Sequence, residues 1–122
     1  MNEDQIQTFI NACKNAGFEV GAGKHKATIN FGSNGFVSIQ TMWNGELEVE
    51  YGLYAYEENS TDEWKEAIAS YLMKAMKIHL PGITLRGLAN CDKWEVSDIG
   101  VQISLAEKFE DAIFEAFCEV YK

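Results

Sequence analysis

Two rhythms of apolar residues run along this chain. Over residues 3–16, Ile6, Phe9, Ile10 and Cys13 recur at the three- and four-residue spacing of one helix face, which predicts an amphipathic helix. Asn2, with Gln5 three residues on, is placed to cap its start, and Gly17 suits the left-handed position just past its end. From residue 18 the spacing falls to two. Phe18, Val20 and Ala22 alternate with polar neighbours, as do Ala27, Ile29 and Phe31, then Val37, Ile39 and Thr41, then Leu47, Val49, Tyr51 and Leu53. Four such segments in succession predict an antiparallel meander with one buried face.

The turns between them set an expected register. Closing the first hairpin with Gly23-Lys24 puts Val20 opposite Ala27 and Phe18 opposite Ile29. Closing the second with Ser33-Asn34-Gly35 puts Phe31 opposite Val37 and Ile29 opposite Ile39. Closing the third with Trp43-Asn44-Gly45 puts Thr41 opposite Leu47, Ile39 opposite Val49 and Val37 opposite Tyr51. Both three-residue loops end in Asn-Gly, with glycine where a type I turn plus bulge needs positive φ. The outward rows then read Asn30–Ser38–Glu50, Thr28–Gln40–Glu48 and Lys26–Met42–Glu46.

The helical rhythm returns over Thr61–His79. Trp64, Ala67, Ile68, Tyr71, Leu72 and Ala75 form the stripe, with His79 at its end, and Ala69, Met73 and Met76 widen it. Ser60 with Glu63 reads as a capping box, and Pro81-Gly82 ends the helix. Strands are expected at Ile83–Leu88, Trp94–Val96 and Val101–Ile103, with a Ser97–Gly100 loop setting Val96 opposite Val101 and Trp94 opposite Ile103. A last helix is expected from Ser104, boxed by Glu107, with Phe109, Ala112, Ile113, Ala116, Phe117 and Val120 inward. The order α-ββββ-α-ββ(β)-α predicts an α+β two-layer sandwich with a mainly antiparallel sheet, as one domain over residues 1–122.

Charge changes the picture more than composition does. The chain has 122 residues and a net charge of −9, spread unevenly. Residues 46–66 hold eight acids and one base, whereas residues 67–91 hold three bases and no acid. Such a surface repels nucleic acid and anionic membranes and attracts basic partners. No apolar run approaches the ~20 residues that cross a bilayer. The start Met1-Asn2-Glu3-Asp4 is unlike a secretory signal, and three cysteines without C-x-x-C spacing fit a reducing compartment, so a cytoplasmic protein is expected.

Candidate chemistry is sparse. Gly21-Ala22-Gly23-Lys24 resembles the end of a phosphate-binding loop, but Phe18 stands where its first glycine belongs and His25 where the magnesium-ligating hydroxyl belongs. A strand follows, not a helix N-terminus, so turn geometry accounts for these glycines. His25 and His79 lack metal-ligand spacing. Cys13 and Cys118 fall on helix faces, and Cys91 sits beside Asp92, which disfavours a thiolate. No cofactor, no metal and no catalytic activity are expected.

The remaining signal is a charged face. Glu46, Glu48 and Glu50 form an outward column on one strand at about 6.8 Å spacing. Tyr54 and Tyr56 continue that face into Glu57 and Glu58, and Trp43 sits in the adjoining hairpin loop. Glu107, Asp111, Glu115 and Glu119 add an i+4 run of like charges, each pair costing roughly 0.2–0.5 kcal/mol. Carboxylates steer a basic partner and aromatics anchor it. The expectation is an acidic intracellular protein that binds and neutralises a basic macromolecule, such as a nuclease or other nucleic-acid-binding protein. Toxin-immunity proteins and phage inhibitors of defence nucleases work in this style, some by loose mimicry of the duplex. A pocket between sheet and helices, holding His79, Tyr71 or Arg86, would indicate a small-molecule-binding or enzymatic domain instead.

Overall fold

A computed structural model describes residues 3–23, 26–53 and 64–122 of the chain. The first helix, α1 (Glu3–Asn15), forms where the apolar stripe predicts it and buries Ile6, Phe9, Ile10, Ala12 and Cys13. It stops at a paired cap. The Gly17 N–H donates to the Lys14 carbonyl at 3.1 Å and the Phe18 N–H to the Cys13 carbonyl at 3.0 Å. That pair of bonds needs a left-handed residue just past the helix, and Gly17 supplies φ 92°.

Four antiparallel strands follow in meander order: β1 (Glu19–Ala22), β2 (Lys26–Asn30), β3 (Gly35–Thr41) and β4 (Leu47–Leu53). Ala27, Ile29, Val37, Ile39, Val49 and Tyr51 line the buried face. The β3–β4 register is the expected one, with Val37 opposite Tyr51, Ile39 opposite Val49 and Thr41 opposite Leu47. The first two hairpins are each displaced by two residues. Val20 faces Ile29, not Ala27, and Ile29 faces Val37, not Ile39. In the second hairpin the turn is a single 3-10 turn, Gly32–Asn34, entered through Gly32 at φ 63°. Phe31 thereby closes the ladder, its N–H donating to the Gly35 carbonyl at 2.8 Å. Its ring stacks on Tyr71 at 5.2 Å and meets Phe18 edge-on at 5.1 Å. Gly35 and Gly45 both hold the positive φ expected of them, 123° and 83°.

The second helix, α2 (Trp64–His79), buries Trp64, Ala67, Ile68, Ala69, Leu72 and Met76, so it is covered over a wide arc. His79 is exposed at its end and not part of the core. A separate three-stranded antiparallel sheet comes next, β5 (Ile83–Leu88), β6 (Lys93–Asp98) and β7 (Val101–Ala106), in that order. The β6–β7 hairpin differs from expectation. Its turn is the two residues Ile99-Gly100, both at positive φ, so Asp98 faces Val101. A bulge between Val96 and Ser97 then shifts the pairing and sets Val96 opposite Ser104 and Trp94 opposite Ala106.

That pairing also moves the last helix. Ser104 belongs to β7 and caps nothing; its hydroxyl donates to the Ala112 carbonyl at 2.6 Å. The helix α3 begins at Phe109 and runs to Val120, with Lys108 at its N-cap making no side-chain bond. Glu110 and Asp111 in its first turn answer the helix dipole in place of the capping box. Its inner face packs on α1 and α2 through an aromatic knot, with Phe9 at 4.6 Å from Phe114, 5.8 Å from Trp64 and 6.0 Å from Phe117. The Asn2 cap, the Lys24-His25 tip and the Ser60–Glu63 capping box lie outside the described residues.

Candidate functional site

The β3–β4 hairpin builds the site from its turn upward. The Gly45 N–H donates to the Met42 carbonyl at 2.9 Å, closing a type I turn, and the Met42 N–H donates to the Glu46 carbonyl at 2.7 Å across the bulge. Asn44 fixes the exit, its side-chain oxygen accepting from the Glu46 N–H at 3.0 Å. Trp43 stands at the tip and is 95% exposed, so it does not fold back over Met42.

Below the tip, Glu48 and Glu50 point to the outward face. Their rows are Lys26–Gln40–Glu48 and Thr28–Ser38–Glu50, each shifted on β2 from the expected rows. The Thr28 and Ser38 hydroxyls share one hydrogen bond at 2.9 Å, so the middle of the face is polar but uncharged. In the next row, Asn30–Phe36–Gly52, the Phe36 ring lies across Gly52, within 2.8 Å of where a Cβ would stand. Lys26 is two strands from Glu48, about 9.6 Å at ordinary strand spacing, and the two do not pair. Among the described residues, the ion pairs are Lys65–Asp111, Arg86–Glu95 and Lys122–Glu119, none of which uses Glu46, Glu48 or Glu50. The structure thus brings Trp43, Glu46, Glu48 and Glu50 together on one hairpin. Tyr54, Tyr56, Glu57 and Glu58 lie outside the described residues.

The acidic run on α3 is less bare than its spacing suggested. Glu107 precedes the helix, Lys65 of α2 reaches Asp111 at 3.1 Å, and Lys122 pairs with Glu119. Glu115 keeps a raised pKa, from partial burial first and from the Asp111 charge second, against an opposing pull from Lys65.

A second feature appears at the other end of the molecule's inner layer. Tyr71 and His79, but not Arg86, line an open groove of about 240 Å³ between the end of α1, the Phe31 turn and the last turns of α2. Arg86 instead pairs on its own sheet with the nearly buried Glu95 at 3.1 Å. His79 is held by a chain of bonds: the Tyr121 hydroxyl donates to the Ala75 carbonyl at 2.8 Å and sits 2.8 Å from His79 Nδ1. Burial of the phenol pushes its pKa up, so it keeps that proton. Cys13 is buried with its pKa driven far upward, Cys118 is pushed up to about 11 by burial and by Glu115, and Cys91 is exposed. Among the described residues no three His, Cys, Asp or Glu side chains converge to hold a metal ion, and no helix is long and apolar enough to cross a membrane. Comparison with known protein families, with characterised proteins and with solved structures finds no match.

Proposed function

We propose that this protein acts by binding, not by catalysis, and that its partner is a basic protein in the cytoplasm. The observation that carries the reading is the hairpin: three carboxylates that enter no ion pair among the described residues, next to a tryptophan that is 95% exposed. A column of like charges on an ordered strand costs stability through mutual repulsion. A partner's lysines and arginines remove that cost on docking, and a protruding indole fits the anchor role. β4 is also a sheet edge. Natural edges are guarded against pairing with another copy, and here glutamates do the guarding. They repel a second β4 yet admit an extended basic segment. A groove meant for phosphates has that charge, which supports a nuclease or nucleic-acid-binding protein as the target and neutralisation as the outcome. The three free thiols accord with a reducing compartment.

The test is kinetic binding to the partner that co-purifies from the native cell, at two salt concentrations. Reversal of Glu48 and Glu50 to lysine should slow association and flatten its salt dependence, while Trp43→Ala should speed dissociation, by ~2 kcal/mol if it is a hot spot. Thermal melts should stay within about 0.5 kcal/mol of wild type, because these are surface positions. Unchanged association in folded variants would show that the face is only solvated.

A further inference from the structure

We propose that the groove between the ends of α1 and α2 binds a small aromatic carboxylate, its ring against Tyr71 and Ile78 and its acid group at Lys74 and His79. This site is separate from the acidic hairpin and goes beyond the partner binding proposed above.

The charge of the groove is the first observation. The chain carries 19 acids against 10 bases, yet no acidic residue lines this groove; its charged or ionisable lining is Lys74, His79 and Tyr71. Lys74 is exposed and free of any ion pair among the described residues. The local sign is therefore opposite to that of the molecule, and an anion is drawn here that is repelled elsewhere. The two helix ends that meet here would disfavour an anion through their carbonyls. At α1 the Gly17 and Phe18 amides occupy two of those carbonyls, and at α2 the last turn carries Lys77 and His79.

The histidine is the second observation. Tyr121 has one hydroxyl proton, and it goes to the Ala75 carbonyl. Its oxygen can then only accept from His79, so Nδ1 carries a proton. Nε2 is the nitrogen not engaged by Tyr121, on a ring whose orientation that bond sets. In the imidazolium form both ring nitrogens donate, and Nε2 can then bond a carboxylate. Preorganisation of this kind lowers the ordering cost of binding.

Shape and size choose the ligand. Phe31 is buried, stacked on Tyr71 at 5.2 Å and met edge-on by Phe18, so it backs the groove while the half-buried Tyr71 is the ring that forms its apolar wall. Ile78 stands on the rim and is 78% exposed, an apolar group that a ligand ring would cover. The volume of about 240 Å³ is below the ~300 Å³ at which drug-sized pockets begin, a size that suits one ring with a short acid tail.

The experiment titrates the full chain with 3-phenylpropionate, with 3-phenyl-1-propanol and with 2-phenylethylamine, followed by amide NMR. The acid should bind saturably, shift the amides of residues 16–18, 34 and 74–79, and bind about tenfold more tightly than the alcohol. The amine should be the weakest of the three. Lys74→Glu should weaken the acid about tenfold with the melting temperature unchanged, since Lys74 is exposed, and Lys74→Arg should restore it. Equal affinity for acid and alcohol would overturn the proposal, as would shifts confined to other residues, no saturation below roughly 10 mM, or a Lys74→Glu variant that binds the acid as wild type does.

Discussion

Replacing Ile99 by asparagine should make the protein more stable. Ile99 and Gly100 are the two central residues of the β6–β7 turn, at φ 48° and 79°. Glycine adopts such angles freely, but an L-residue in the left-handed region is destabilised by roughly 1–2 kcal/mol, and a β-branched one is a true outlier there. Asparagine tolerates the region because its amide bonds locally, which is why Asn-Gly is a favoured pair for this turn. Against this stands what the isoleucine packs. Its side chain rests on Gly82, where an added Cβ would meet Cγ1 at 2.7 Å, but the residue is 83% exposed. Full burial of isoleucine is worth about 1.5–3 kcal/mol, so the buried sixth is worth about 0.3–0.5 kcal/mol. The difference is a net gain of about 0.5–1.5 kcal/mol, or about 2–6 °C in melting temperature for a domain of this size. Urea denaturation with an unchanged slope measures it directly. Ile99→Val serves as control: it keeps the branched Cβ and the strain, and should gain nothing. If Ile99→Asn is less stable than wild type, the contact with Gly82 outweighs the backbone strain and this reasoning fails.

Thiol reactivity should follow exposure. A disulfide reagent near neutral pH should modify Cys91 at once, Cys118 slowly because its pKa is pushed up to about 11, and Cys13 only on unfolding; a second fast thiol would contradict the packing of α1 on α3. Glu115 has a raised pKa, so between its unfolded and folded values the native state holds more protons, and stability falls as pH rises through that window. Glu115→Gln should therefore stabilise the protein at neutral pH, by no more than about 0.5 kcal/mol for so exposed a group, and the gain should vanish at pH values below the ordinary carboxylate range; a variant with no pH-dependent difference from wild type refutes it.

How much of the fold was legible depends on which errors a pattern tolerates. The period-two alternation fixed which face of each strand is buried, and a shift of two residues leaves that face unchanged. The first two hairpins could thus slip by two without any penalty the pattern can see, and only turn chemistry separates the alternatives. Phe31 decided the second: the displaced register lets it close the turn and stack on Tyr71, a contact with a residue forty positions away. The third hairpin keeps the expected register because Asn44-Gly45 makes the turn its sequence favours. The start of α3 departs from the sequence signal for a related reason. Ser104 with Glu107 has the form of a capping box, but strand pairing to Val96 claimed the serine, and local signals yield to tertiary pairing where both are available.

The two candidate sites differ in the same way. The acidic column needs only one strand's alternation and one turn, so Glu48 and Glu50 could be placed outward from neighbours alone. The groove draws on residues 16–18, 31–34 and 71–79, three segments that meet only after α1 and α2 have packed. Its sequence trace was the run of residues 67–91 without an acid, a composition that reads as an accident until Lys74 and His79 are found on one rim. Charge is cheap to place on a surface, and an acidic protein gains solubility from more of it. Keeping carboxylates away from one groove, and fixing a histidine there through Tyr121, has no such general reason. The exclusion of negative charge from that groove is therefore the more specific signal, although the excess of it on the hairpin is the more conspicuous one.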